Sequence, residues 1–313
     1  MALAIVTEGL DSAPLAWLRA RCDVVECRLD EPAFSTHLAR AEALVVRTYT
    51  RVNAALLAQA PRLRVVGRGG VGLENIDIPA CRARGVEVVY TPDANTRAVG
   101  EYVFSLLLQM IRPYAFFRDA AYKPPEFKRL RDTLRGRQLD ELTLGILGMG
   151  RVGRRVGQIA SRGFEMNVIY HDLLDVSRSV DFPARAVGKD RLLEQADILT
   201  IHVDMRPGNE HLVGASELAR MRRGSWLVNT SRGEVLDVQA LASALKSGHL
   251  AGAALDVYAP EPPPPDFPLL GLSNVLLAPH MAARTGVALE NMSWVVRDIV
   301  EVLEGRSPRH PAP

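Results

Sequence analysis

At 313 residues, with 48% hydrophobic and 24% charged residues, the chain has material for two cores of ordinary domain size and a soluble surface. A formal net charge of +2 with scattered arginines marks no basic face or tail, which argues against a nucleic-acid or anionic-membrane partner. Cys22, Cys27 and Cys81 lack CxxC or Cys/His spacing, so neither a disulfide framework nor a metal site is expected, and reduced thiols in the cytoplasm fit. The opening MALAIVTEGLD has an early acid and no basic lead, which suits a first strand better than a signal peptide. No apolar run approaches the roughly 20 residues of a membrane span.

From Leu3 to Val89 short β-branched runs (LAIVT, CDVVEC, ALVVR, RVVGR, VEVVY) alternate with helical spacing, a rhythm that predicts a parallel sheet. A long helix is expected over Arg97–Ile111, closed by Pro113. The charged, proline-bearing stretch from Tyr122 to Gln138 reads as an exposed connection. A second α/β series opens at LTLGILG and continues through MNVIYHD, ADILTIHV, SWLVNTS, AGAALDVY and NVLLAPH. A last helix is expected over Gly286–Glu304, returning to the first domain, and SPRHPAP beyond it should fray. The domain expectation is therefore 1–97 with 285–313, interrupted by 98–284.

Two stretches match GxGxxG. At Gly148, Gly150 and Gly153 a strand enters the glycines and a helix leaves them at once. That context aims helix N–H groups at a pyrophosphate, with Asp172 at the distance of about 20 residues expected for an acid on the ribose hydroxyls. A carboxylate there would repel a 2′-phosphate, so NAD is favoured over NADP. At Gly67, Gly69 and Gly72 the helix comes late, after Glu74, Asn75, Asp77 and Pro79, so that loop is placed near substrate instead.

Arg232, Glu261 and His280 each follow an apolar run, SWLVNTSRG, AALDVYAPEP and NVLLAPH. In an open α/β sheet, ligands bind outside the carboxyl ends of the strands. An arginine grips a carboxylate with two hydrogen bonds, a histidine exchanges protons near neutral pH, and a carboxylate favours its charged form. No Ser or Cys nucleophile accompanies the histidine in a recognisable motif. Tyr49 and Arg51, in RTYTRV after a strand, are placed at the distal end of a substrate, and Arg47 or Arg51 facing the cleft would suit a phosphorylated or dicarboxylic one.

The stretches GRGGVGLENIDIPACRARGVEVVYTPDANT, LGILGMGRVGRRVG, VNTSRGEVLDVQALASALKSGHLAGAALDVYAPEP and APHMAART run in order from about Val65 to Arg284. Together they resemble the D-isomer-specific 2-hydroxyacid dehydrogenases. The resemblance implies two doubly wound parallel-sheet domains, a flavodoxin-like substrate domain with an inserted Rossmann coenzyme domain. It implies NAD, a small 2-hydroxy or 2-oxo acid as substrate, and a homodimer through coenzyme-domain helices, here Val99 to Ala121 and the connection after it. Carried over by motif, Arg232, Glu261 and His280 are the catalytic set. Arg151 and Val152 would lie by the pyrophosphate and Thr230 near the nicotinamide. Asp256 would hold the carboxamide. Pro207 and Ala283 join His280 at the cofactor, and Gly70, Val71 and Gly72 would receive the substrate carboxylate. This chain departs from the pattern at HVDMRP, with Asp204 and Arg206 where proline and threonine are usual, and at MAAR, where Ala283 replaces a glycine-containing stretch. A regulatory extension is not expected after the last helix. An NAD-sensing corepressor-like module of the same fold is the competing expectation.

Overall fold

The inner strands of the first unit are buried on both sides, so their side chains alternate between two apolar layers. Ile5, Leu44, Val46, Val66 and Val88 pack on one face, and Ala4, Val6, Ala43, Val45, Val65 and Val89 on the other. The structure, a computed structural model, describes residues 1–112 and 123–313. It contains two compact units, Met1–Asn95 with Ala283–Pro313, and Thr96–Ala282.

The first unit holds β1 (Leu3–Val6), β2 (Asp23–Glu26), β3 (Ala43–Val46), β4 (Val65–Arg68) and β5 (Glu87–Tyr90) in one parallel sheet of order β2-β1-β3-β4-β5. Helices α1 (Ser12–Arg19), α2 (Phe34–Leu38), α3 (Ala54–Ala58) and α4 (Ile78–Ala83) connect the strands.

The second unit begins with α5 (Thr96–Ile111) and α6 (Pro124–Thr133). Its parallel sheet uses β6 (Thr143–Leu147), β7 (Asn167–His171), β8 (Arg185–Ala186), β9 (Ile198–Ile201), β10 (Ser225–Asn229), β11 (Leu250–Leu255) and β12 (Val275–Leu277). The order is β12-β11-β10-β9-β6-β7-β8, the dinucleotide-binding order with one strand added at an edge. Helices α7 (Arg151–Gly163), α8 (Lys189–Gln195), α9 (Ala215–Arg220) and α10 (Val238–Lys246) complete it. The chain returns to the first unit with α11 (Gly286–Ser293) and α12 (Val296–Leu303).

Three expectations are corrected. The stretch read as a connection contains α6, because proline is tolerated in a first helical turn, Glu126 sits there favourably, and charge suits an exposed helix. The final helix is two, separated at Trp294–Val295. The terminal SPRHPAP does not fray. His310 O accepts Tyr90 N–H at 3.1 Å, Ala312 N–H donates to Val88 O at 2.7 Å, and Arg82 holds the Ala312 and Pro313 carbonyls. The buried Asp298 carboxylate fixes this segment through Arg309 N–H at 2.7 Å and His310 Nδ1 at 3.0 Å. Backbone pairing with a sheet edge outweighs the disorder expected of a proline-rich tail.

The first glycine pattern has a packing cause. A Cβ on Gly67 would lie 2.3 Å from Ile299 Cδ1, so this glycine lets α12 close on β4. Among the described residues no helix is long and apolar enough to cross a membrane.

Candidate active site

The switch point of the second sheet lies between β6 and β9, whose connections leave in opposite directions. The loop after β6 is Gly148–Gly153. Gly148 has φ +93°, and a Cβ there would lie 2.7 Å from His202 O, so the β9 loop also needs it bare. A Cβ on Gly153 would lie 2.1 Å from Gly148 O, a distance no side chain tolerates. Above Gly150 there is open space. Gly150 is the N-cap of α7 and offers no side-chain cap, so the first turn presents its N–H groups outward.

Asp172, just after β7, accepts Met149 N–H at 2.7 Å and Leu174 N–H at 2.9 Å, which fixes its carboxylate beside the glycine loop. Thr230 Oγ1, after β10, is buried without a hydrogen-bond partner. A bare glycine cradle, an uncapped helix start, an acid at the next strand end and an orphaned hydroxyl fit a dinucleotide. Pro207 is exposed in the loop after β9. In the same loop, burial pushes the His202 imidazole down to about 3, so it is neutral at physiological pH; its Nε2 lies 2.8 Å from Thr200 Oγ1. Ala283 lies at the boundary where the chain returns to the first unit.

Arg232, Glu261 and His280 follow β10, β11 and β12, three neighbouring strands whose ends are in register: Asn229 pairs with Leu255, and Leu255 with Leu277. Fully buried Asn229 shapes the turn that presents Arg232. Its Oδ1 accepts Ser231 N–H at 3.0 Å and Ser231 Oγ–H at 2.9 Å, and its Nδ2 donates to Arg232 O at 2.8 Å. Arg232 itself is half-buried, with one guanidinium N–H donated to Ser231 O at 2.7 Å. A Cβ on Gly233 would lie 2.1 Å from the Tyr258 carbonyl carbon, so this glycine lets the Arg232 turn close on the chain leading to Glu261.

His280 Nδ1 lies 2.8 Å from Glu261 Oε1 and 3.0 Å from Oε2. A carboxylate only accepts, so Nδ1 carries the proton and Nε2 is the nitrogen left to face a ligand. His280 has φ +53°, a left-handed conformation uncommon outside glycine. Asp256 holds the backbone that follows: its oxygens accept Met281 N–H at 2.7 Å and Ala282 N–H at 2.8 Å. Asp256 is fully buried; burial raises its pKa, against the lowering effect of those N–H groups and of His280. The residue expected at the carboxamide thus already spends one bond per oxygen on its own chain. Tyr258 ties the β11 and β12 ends through a 2.8 Å bond to Ala278 O, and burial pushes its hydroxyl up to about 12.

In the first unit, the Gly70 N–H donates to Arg68 O at 2.9 Å within the loop expected to receive a carboxylate. Gly70 has φ +150°, a conformation that favours glycine. Among the described residues, Val71 and Gly72 N–H donate to no carbonyl. Tyr49 is 81% exposed and Arg51 is exposed. Among the described residues, no group of three His, Cys, Asp or Glu side chains could hold a metal ion.

Residues 104–282 match the family model of the D-isomer specific 2-hydroxyacid dehydrogenase NAD-binding domain. The chain is 36% identical over 301 residues to an (S)-sulfolactate dehydrogenase of Chromohalobacter salexigens, covering 95% of this chain and 96% of that protein. It is 35% identical over 312 residues to a D-3-phosphoglycerate dehydrogenase of Archaeoglobus fulgidus, covering 98% of this chain but only 58% of that protein's length. The crystal structure of the TT0316 protein from Thermus thermophilus superposes with a TM-score of 0.88 at 34% identity, covering 99% of this chain and all of that one. The chain belongs to the D-isomer specific 2-hydroxyacid dehydrogenases, a family of NAD-dependent oxidoreductases acting on CH–OH donors.

Sequence reasoning missed Asn229, whereas a ligand or backbone contact for Asp256 follows from an acid placed in a buried strand. A signal existed for Asn229, since an asparagine directly before Thr-Ser commonly folds its side chain onto a turn.

Proposed function

We propose that this chain interconverts a small D-2-hydroxy acid and its 2-oxo acid, with Arg232 as carboxylate anchor and His280 and Glu261 as the proton relay. The observation that carries the reading is the His280 Nδ1 to Glu261 carboxylate pair, at 2.8 and 3.0 Å, beside Arg232 on adjoining strand ends.

In the reducing direction, bound NADH supplies a hydride to the carbonyl carbon. In its protonated form His280 would give its Nε2 proton to the carbonyl oxygen as negative charge develops there, and take it back in oxidation. Glu261 keeps the ring oriented and stabilises the imidazolium. Arg232 holds the carboxylate with paired N–H donors and polarises the neighbouring carbonyl. Asp256, through Met281 and Ala282, maintains the left-handed His280 backbone. Gly148, Gly150 and Gly153 with the Arg151 and Val152 N–H groups receive the pyrophosphate, Asp172 the ribose hydroxyls, and Thr230 the nicotinamide side.

In the first unit, Val71 and Gly72 N–H are assigned to the substrate carboxylate, and Tyr49 and Arg51 to its distal end. The sulfolactate and phosphoglycerate dehydrogenase names of the relatives support a substrate with a second functional group beyond its 2-hydroxy acid. A cytoplasmic homodimer is proposed; the expected dimer segment Val99–Ala121 lies partly outside the described residues.

Following NADH absorbance against a panel of 2-oxo acids tests the reading. Turnover of at least one member is expected. NADH binding with no turnover on any member would instead favour an NAD-sensing module.

A further inference from the structure

The first sheet has its own switch point, between β1 and β3, since β1 connects outward to β2 while β3 leads on through β4 to β5. In sheets of this order the carboxyl ends of those two strands border the crevice that receives a ligand. Successive backbone N–H groups turned to one side there form a concavity for an anion.

Here the anion comes from the chain itself. Glu8, just past β1, sets its carboxylate against the turn that follows β3. Oε1 accepts N–H from Arg47 at 3.1 Å, Tyr49 at 3.1 Å and Thr50 at 2.9 Å. Oε2 accepts from Thr48 at 2.8 Å and Tyr49 at 3.1 Å. Burial works to raise the Glu8 pKa, yet the four N–H donors hold it below the ordinary carboxylate value.

The same turn is held from its carbonyl side. Asn75 Nδ2 donates to Arg47 O at 3.0 Å and to Thr50 O at 2.7 Å, and the Thr7 and Thr50 hydroxyls meet at 2.7 Å. Asn75 belongs to the segment that carries Gly70–Gly72, and Asn75 O accepts Val52 N–H at 2.8 Å. The turn bearing Tyr49 and Arg51 is thereby locked to the glycine segment. Among the described residues, neither exposed side chain has a hydrogen bond in that lock.

We propose that Glu8 is a positioning residue for substrate selection: its carboxylate, seated in the Arg47–Thr50 turn, sets the direction in which Tyr49 and Arg51 leave it. The side chain accepted at the distal end of the substrate follows from that direction. This rests on the assignment of Tyr49 and Arg51 to the distal substrate end. Without the anion, four N–H groups aimed at one point repel one another, and the turn opens.

Steady-state kinetics of Glu8→Gln test this on the full chain, using glyoxylate, which has no side chain, and 2-oxo acids that carry one. Glutamine points an N–H₂ at the donors. The KM ratio of longer acid to glyoxylate is expected to shift by about tenfold or more, with kcat on glyoxylate and NADH affinity held within about twofold. If Glu8→Gln does not fold, Glu8→Ala serves, measured with and without formate, whose free carboxylate can take the same four N–H groups. Formate should return the ratio toward the wild-type value. A wild-type ratio in folded Glu8→Gln, or in Glu8→Ala without formate, overturns the inference and leaves the reaction assignment standing. A wild-type enzyme that turns over neither glyoxylate nor any longer acid overturns both.

Discussion

His280 Nδ1 and the Glu261 carboxylate meet at 2.8 and 3.0 Å although they stand 19 positions apart, because β11 and β12 are neighbouring parallel strands that end together. This relationship leaves Nε2 as the nitrogen free to face a ligand and makes the acid, not the backbone, responsible for the tautomer.

Glu261→Gln keeps the size of the side chain and removes its charge. kcat should fall by about 10- to 100-fold, with NADH affinity nearly unchanged, because the stabilisation of imidazolium is lost while the fold is not. Stopped-flow or steady-state assays with a fluorescence titration of NADH check both halves.

Asp256 acts on His280 through the chain. Its two backbone bonds are to a buried carboxylate, so Asp256→Ala should lower stability by about 2–4 kcal/mol and reduce kcat, since the left-handed His280 backbone is no longer held. Denaturant titration and turnover, measured together, test the link. Loss of stability with full turnover would show that His280 holds its geometry unaided.

Gly153→Ala places a methyl where only 2.1 Å separates it from Gly148 O. The cradle must open, and NADH affinity should weaken by about tenfold or more while the first unit is untouched. Calorimetric titration gives the number directly.

Glu217 gives a pH signature unrelated to catalysis. Burial works to raise its pKa, but bonds from Ser216, Lys189 and the Gly214 N–H outweigh this and hold it at about 2. Its folded value is depressed, so the stability it contributes is present above about 4.5 and lost as pH falls towards 2. With allowance for solvent screening, Glu217→Gln should cost about 1 kcal/mol at pH 7. The cost should vanish in acid, as melting curves across that range would show.

Much of this site was legible because its parts lie at strand ends, where an apolar run stops at a polar residue. The second glycine loop was legible because strand, glycines and helix are contiguous. The supporting residues were hidden for a physical reason. Asn75 and Glu8 act by accepting or donating backbone bonds between segments distant in the chain, and such partners have no sequence spacing. The terminal SPRHPAP was misread because its ladder to β5 joins the far end of the chain to its first third, beyond the reach of local propensity. The charged stretch containing α6 was misread because two prolines outweighed a pattern they actually permit at a helix start.

The central claim is that His280 moves the proton. His280→Ala, assayed for NADH oxidation with the best 2-oxo acid and for NADH binding in parallel, tests it most directly. Turnover should fall by about 10²- to 10⁴-fold with NADH affinity within about threefold of wild type. Comparable loss of both, or turnover retained, would contradict a proton-transfer role and leave His280 a structural residue.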